Sequence, residues 1–227
     1  MTAATSLPAP PAAASQVFGE RLPLAVAFGQ RLATDGMLRG LLGPREVPRL
    51  WERHLLNSAV VTELVPAGAR VVDVGSGAGL PGIAMGCRRG DLRVDLVESL
   101  TRRVAFLEEV VAALGLDETV RVVHGRAEDP TVRAAVGEAE WVTARAVAPL
   151  ERLVRWCVPL LRPGGTLLAI KGEQADVEVE RVRASMGVDV SVVRCGVGTL
   201  DTPVTVVAVR RLPARHGETE AQRASEW

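Results

Sequence analysis

The stretch VVDVGSGAGLPG, Val71 to Gly82, runs from apolar strand-like residues into a turn with four glycines. An aspartate, Asp73, sits among the valines. Glycine leaves no Cβ in the way, so such a turn can hold a ligand close to the backbone. Two adenosine-containing ligands fit it. Gly77, Gly79 and Gly82 satisfy G-x-G-x-x-G, the dinucleotide fingerprint. Glu98 lies about twenty residues on, where that fingerprint places its ribose-binding acid. Counted from Asp73, however, Gly75, Gly77 and Gly79 give D-x-G-x-G-x-G, the methyltransferase form of the loop. A pyrophosphate is anionic and calls for amide N–H groups at a helix N-terminus. S-adenosylmethionine has no phosphate and carries an ammonium and a sulfonium. An acid at the strand end suits the cationic ligand, directly or through water, and opposes a pyrophosphate. The other role open to Asp73 is to brace its own loop by hydrogen bonds.

Outward from this turn the chain alternates. RVVDVG is followed by a second strand, Leu92 to Glu98, and by the helix TRRVAFLEEVVAALGL, with Val104, Leu107, Val110, Val111 and Leu114 on one face. VRVVHG and EWVTARAV read as the third and fourth strands, ERLVRWCVPLLRPGG as a helix closed by Pro163 and two glycines, and TLLAIKG as the fifth strand. Alternation of strand and helix predicts a parallel sheet covered on both faces. VDVSVVRCGV and TPVTVVAVRR follow as two strands in succession, which adds a terminal antiparallel hairpin. The fold class expected is therefore α/β: a Rossmann-like, mostly parallel seven-stranded sheet with an N-terminal helical extension. The domain runs over 67–212. Residues 16–66 read as two or three helices, the last beginning at Pro48, and 1–15 and 213–227 read as disordered tails.

Composition bounds the rest. Basic and acidic residues number 27 each, so the chain has no bulk charge for a polyanion, though a local patch is compatible with that balance. All but one of the basic residues are arginine, and the exception is Lys171. A lone lysine in that background marks a place where arginine does not serve. Cys87, Cys157 and Cys195 have no metal-binding spacing, which suits buried thiols in a reducing cytoplasm. No apolar run is long enough for a membrane span.

Strand ends carry chemistry in open α/β sheets. Glu98 ends the second strand, where its two oxygens can take both ribose hydroxyls or favour the start of the following helix. Ala127 and Glu128 follow the third strand. The Ala127 amide can meet an adenine ring nitrogen and Glu128 the exocyclic amine, unless the loop is only capped by its acid. Arg145 ends the fourth strand and Lys171 the fifth, as functional groups or as solvated charges. His54, beside Trp51 on a helix, reads as packed. No metal cluster, no nucleophile–base pair and no Asn/Asp-Pro-Pro-aromatic run is present.

Together the segments RHLLNSAV, VVDVGSGAGLPGI, VESLTRRVAFL, GRAEDP, ARAVAPLERLVRWC and AIKG resemble the glucose-inhibited division protein B family, bacterial small-subunit (16S) ribosomal RNA guanine-N7 methyltransferases. The resemblance spans Arg53 to Gly172. It implies the S-adenosylmethionine-dependent methyltransferase fold, with S-adenosylmethionine as cofactor. It makes Gly75 and Leu80 cofactor-loop residues beside Asp73, Gly77 and Gly79. Ala127 and Glu128 become the adenine-side pair, Arg145 the arginine near cofactor and target, Lys171 an active-site lysine and Arg126 a further functional arginine. It also implies a cytoplasmic monomer acting on 16S ribosomal RNA or the small ribosomal subunit.

The N-terminal helices and the last hairpin depart from the family pattern. An oxidoreductase, a non-catalytic ribosome-assembly protein and a small-molecule methyltransferase are the competing classes. For RNA, one basic face is expected around the pocket. It would join Arg126, Arg145 and Lys171 to Arg39, Arg45, Arg49, Arg53 and His54, and to Arg88 and Arg89, with the acids of EQADVEVE off it.

Overall fold

The structure, a computed structural model, describes residues 6–186 and 188–213. Its centre is β1, Arg70–Val74, whose Val71, Val72 and Val74 are buried although they point to alternate faces. A strand covered on both sides needs a continuous apolar run. β1 pairs in parallel with β2, Arg93–Glu98, and with β4, Ala139–Arg145. β3, Val120–His124, lies outside β2, and β5, Leu161–Lys171, outside β4. The terminal strands β6, Asp189–Cys195, and β7, Val204–Arg210, form the antiparallel hairpin. The order is β3-β2-β1-β4-β5-β7-β6. The chain therefore reverses its direction of travel across the sheet between β1 and β4, and a crevice opens at their C-terminal ends.

Among the described residues, eight α-helical stretches surround the sheet. α4 (Gly82–Arg88) and α5 (Thr101–Ala113) share one face with the N-terminal segment, in a core that includes Phe28, Leu55, Ile83 and Phe106. α6 (Pro130–Val136), α7 (Leu150–Cys157) and α8 (Ala175–Met186) cover the other, over Val72, Val142 and Val207. The N-terminal segment begins with α1 (Ala12–Phe18) and α2 (Leu22–Arg31), which widens into a π turn, Leu32–Gly36. A 3-10 stretch, Pro44–Arg49, then leads into a second π turn, Leu50–Leu56, the short α3 (Asn57–Ala59) and a 3-10 turn, Val60–Leu64.

Several boundaries differ from the sequence reading, each for a physical reason. Residues 8–15 are not a loose tail: Trp51 donates its indole N–H to the Pro8 carbonyl at 2.8 Å, and Ala14 is fully buried. Residues 1–5 and 214–227 of the expected tails lie outside the described residues. The helix expected from Pro48 starts earlier, because Pro44 opens it and Pro48 sits inside the 3-10 stretch. α7 stops at Cys157, since Pro159 cannot donate to an α-helical ladder, and Leu161–Gly165 belong to β5. There the Gly164 amide donates to the Arg211 carbonyl and the Arg211 amide to the Gly165 carbonyl. α8 fills the stretch between β5 and β6, anchored by Val179 and Val182.

Candidate active site

At the crevice the chain leaves β1 through the glycine turn. Gly75 has φ 69°, and a Cβ there would stand 2.7 Å from Val147 Cγ2. Gly82 opens α4 so close to β1 that a Cβ would meet Leu96 at 2.2 Å and Asp73 Oδ2 at 2.7 Å. Asp73 itself is fully buried. Its Oδ2 accepts the Gly82 amide at 3.0 Å, its Oδ1 accepts the Thr143 hydroxyl at 3.1 Å, and Ser76 donates to its backbone carbonyl. Burial pushes the carboxyl up to about 6, and the Gly82 amide pulls against that rise. Asp73 therefore braces the turn from behind and has no exposed oxygen for a ligand. The first amide of α4, where a dinucleotide would seat its pyrophosphate, is already taken by this carboxylate.

Glu98 is also buried, 3% exposed. Its Oε1 accepts the amides of Ser99 and Leu100, and its Oε2 accepts the Gly77 amide at 2.9 Å. The Arg103 guanidinium stands 3.6 Å away. The carboxylate thus ties the glycine turn to the start of α5, and Oε2, which accepts one amide, keeps lone-pair capacity for a further donor. Of the two roles weighed for Glu98, these bonds display the one at the start of α5. Beside it lies a cleft of about 230 Å³, lined by Gly75, Val97, Arg126, Ala127, Glu128 and Val147. Gly77, Gly79 and Leu80 continue the turn next to it. Among the described residues, neither histidine nor cysteine lines the cleft.

Arg145 points away from this cleft, towards the N-terminal segment. Its guanidinium donates to the Ser58 hydroxyl at 3.0 Å, to the His54 carbonyl at 3.3 Å and to His54 Nδ1. A guanidinium only donates, so Nδ1 accepts, and Nε2 carries the proton that bonds Glu46 at 2.7 Å. Burial, then the Arg145 charge, holds the imidazole below its usual range. Burial likewise lowers Arg145 to about 10. His54, read as merely packed, is the link between β4 and the helices. Only its place in RHLLNS pointed to it.

Lys171 donates to the Ala148 carbonyl at 2.9 Å and to Glu178 Oε2 at 2.7 Å. Glu178 accepts the Leu150 amide as well. Lys171 and Glu178 together hold the loop from β4 to α7, in which Ala146 has φ 53° and Val147 covers Gly75.

The expected basic face is only partly assembled. Arg126 is exposed at the cleft, while Arg53 lines the same cavity as Lys171. Arg39 turns instead to Glu109 and the Phe106 ring. Arg88 and Arg89 leave the face altogether: α4 carries them to the N-terminal edge of the sheet, where they meet Glu63 and Asp91. Nor do the acids of EQADVEVE stand clear. Glu178 pairs with Lys171, and Glu173 and Asp176 line the neighbouring cavity.

A family model described as rRNA small subunit methyltransferase G (GidB) matches residues 21–200. The Ribosomal RNA small subunit methyltransferase G of Mycolicibacterium smegmatis is 55% identical over 224 residues, which covers 97% of this chain and 94% of that protein. Among solved structures, a predicted O-methyltransferase from Agrobacterium tumefaciens aligns with a TM-score of 0.53 at 17% identity, over 70% of this chain and 82% of that one. Aeropyrum pernix fibrillarin, solved with natively bound S-adenosyl-L-methionine, aligns with a TM-score of 0.50 at 21% identity, over 69% and 74%. These likenesses confirm the fold.

Proposed function

The chain belongs to the rRNA small subunit methyltransferase G family, and on that premise we propose that it transfers a methyl group from S-adenosylmethionine to guanine N7 of 16S ribosomal RNA. The observation that carries the cofactor choice is the Asp73 carboxylate on the first amide of α4. It excludes a pyrophosphate from the place that a dinucleotide uses and puts a negative charge behind the turn, where a cationic ligand gains from it.

The residues present fit such a ligand. The backbone of Gly75, Gly77, Gly79 and Leu80 forms the cradle for the methionine end, with Asp73 behind it. Glu98 takes the ribose hydroxyls, and Ala127 and Glu128 face the adenine. When bound, S-adenosylmethionine supplies a methyl carbon activated by the attached sulfonium. Guanine N7 offers a lone pair and carries no proton, so the protein needs no general base. Its task is alignment. Lys171 borders the acceptor, Arg126 stands at the cofactor cleft, and Arg145 holds the N-terminal segment against β4. A cation beside N7 would oppose the charge that develops there, so Lys171 serves by donating to guanine O6. The chain acts as a monomer in this reading, with the small subunit or its RNA as partner.

Two measurements test it. S-adenosylhomocysteine should raise the melting temperature while NAD(H) leaves it unchanged. Mapping of 7-methylguanosine in 16S ribosomal RNA, with and without the protein, should reveal one modification that depends on it. A shift with NAD(H) alone, or an identical map, sinks the proposal.

A further inference from the structure

Beyond the β4–α7 loop from the cofactor cleft lies a larger cavity of about 700 Å³. Three parts of the fold wall it: Arg53, Leu56 and Asn57 of the N-terminal segment, Ile170 and Lys171 at the end of β5, and the terminal hairpin with Arg194 and Thr205. Its volume is that of a small-molecule site. Leu56, Ile170, Leu200 and Val204 give it an apolar lining.

The charges in the wall are mixed. Arg53, Lys171 and Arg194 face Glu52, Glu173, Asp176 and Asp201. Four carboxylates against three cations do not suit a phosphate. They suit a flat base that presents acceptors and donors side by side. Guanine does so: O6 accepts, while N1–H and the N2 amine donate. A cation can take O6, carboxylates can take the donor edge, and N7 stays free.

The cavity and the cleft adjoin at one loop. Lys171 lines the cavity and donates to Ala148, whose neighbour Val147 lines the cleft. Resting on the methyltransferase reading above, we infer that this cavity receives the target guanine. The base sits with O6 towards the cations and its donor edge towards the carboxylates, while the RNA backbone stays outside.

The test uses the full chain with labelled S-adenosylmethionine and 16S ribosomal RNA. Thr202 is exposed on the wall of the cavity, so Thr202→Trp narrows it without touching the core. Asp176→Asn removes one carboxylate from the exposed first turn of α8. Each should lower kcat/KM for RNA about ten-fold or more, the scale of one lost base contact. Affinity for S-adenosylhomocysteine should stay within about two-fold, because neither residue touches the cleft. A short RNA with inosine at the methylated position lacks the N2 amine. Wild type should lose activity on it, and Asp176→Asn should lose less from that change. Wild-type rates in both variants would overturn the cavity assignment and leave the methyltransferase reading standing. Wild type that binds S-adenosylhomocysteine yet transfers nothing to RNA would overturn both.

Discussion

The two edges of the sheet treat their charges in opposite ways. At the N-terminal edge, cations meet carboxylates. Asp95 on β2 accepts from Arg70 on β1 at 3.0 Å and from Arg121 on β3 at 2.8 Å, a ladder across three strands. Arg89 forks onto Asp91, whose carboxyl is held well below the usual range. At the C-terminal edge Lys171 is paired with Glu178, but the partners of the charges around the glycine turn are mostly dipoles. Backbone amides hold Glu98, an amide and a hydroxyl hold Asp73, and a hydroxyl, a carbonyl and an imidazole hold Arg145. An ion cancelled by its neighbour has little field left for a ligand. An ion held by dipoles keeps its charge in a place of low dielectric. Arginine is abundant at both edges, so abundance does not locate the site.

Substitutions can break this contrast. The largest effect is expected from Gly75→Val, where φ 69° and the approach to Val147 both oppose a side chain. Strain of about 1–3 kcal/mol and a cofactor affinity at least about 100-fold weaker should follow, read by calorimetry with S-adenosylhomocysteine. Normal binding would remove the turn from the site.

Asp73→Asn comes next and concerns pH. The folded carboxyl keeps its proton up to about pH 6, whereas the unfolded one releases it near 3.9. Through this one group the folded state binds more protons in that window, so the Asp73 contribution to stability falls as pH rises through it, by about 3 kcal/mol. Asparagine lacks the titration, so on going from pH 4 to pH 7 the denaturation midpoint of the variant should shift upward relative to that of wild type. Equal slopes would mean that Asp73 does not carry the effect.

Glu98→Ala should weaken S-adenosylmethionine by about 1–3 kcal/mol, and unchanged binding would reduce Glu98 to a helix-start charge. Charge reversal at Arg45 and Arg49 should flatten the salt dependence of RNA binding by about 0.7 in log–log slope per lost contact. The same change at Arg88 and Arg89 should not, as they lie at the other edge. The smallest effect is expected at Arg121, half exposed in its pair with Asp95. Arg121→Met should cost about 1 kcal/mol or less in urea denaturation and leave cofactor affinity intact.

β1 and its turn were legible because burial on both faces demands a run of valines and the ligand cradle demands glycines at fixed spacing. The hairpin was legible because two strands followed one another without a helix. What escaped depended on contacts between distant segments. An Ala/Pro-rich start reads as loose, yet Pro8 is bound by an indole forty-three residues away. Arg88 and Arg89 are close in sequence to the glycine turn, but α4 rises about 1.5 Å per residue and takes them to the opposite edge. The rarity of lysine marked Lys171 as special. Its partner Glu178 was hidden, because it stands on a helix that the valine spacing of ADVEVERV did not disclose. The position of Asp73 in sequence favoured the cofactor role over the loop brace, whereas its hydrogen bonds display the brace.

The insertion of β7 between β5 and β6 bears on how the chain is made. Synthesis delivers β6 before the strand that attaches it to the sheet. Until Val204–Arg210 has emerged, Asp189–Cys195 has no strand to pair with, and β5 presents a bare edge of amides and carbonyls, the kind that recruits foreign strands. A nascent chain that stalls after Cys195 would leave the ribosome's exit with the sheet open, although the glycine turn was completed more than a hundred residues earlier. β7 is thus a closing wedge, and a late stop codon would be more damaging than its distance from the glycine turn suggests.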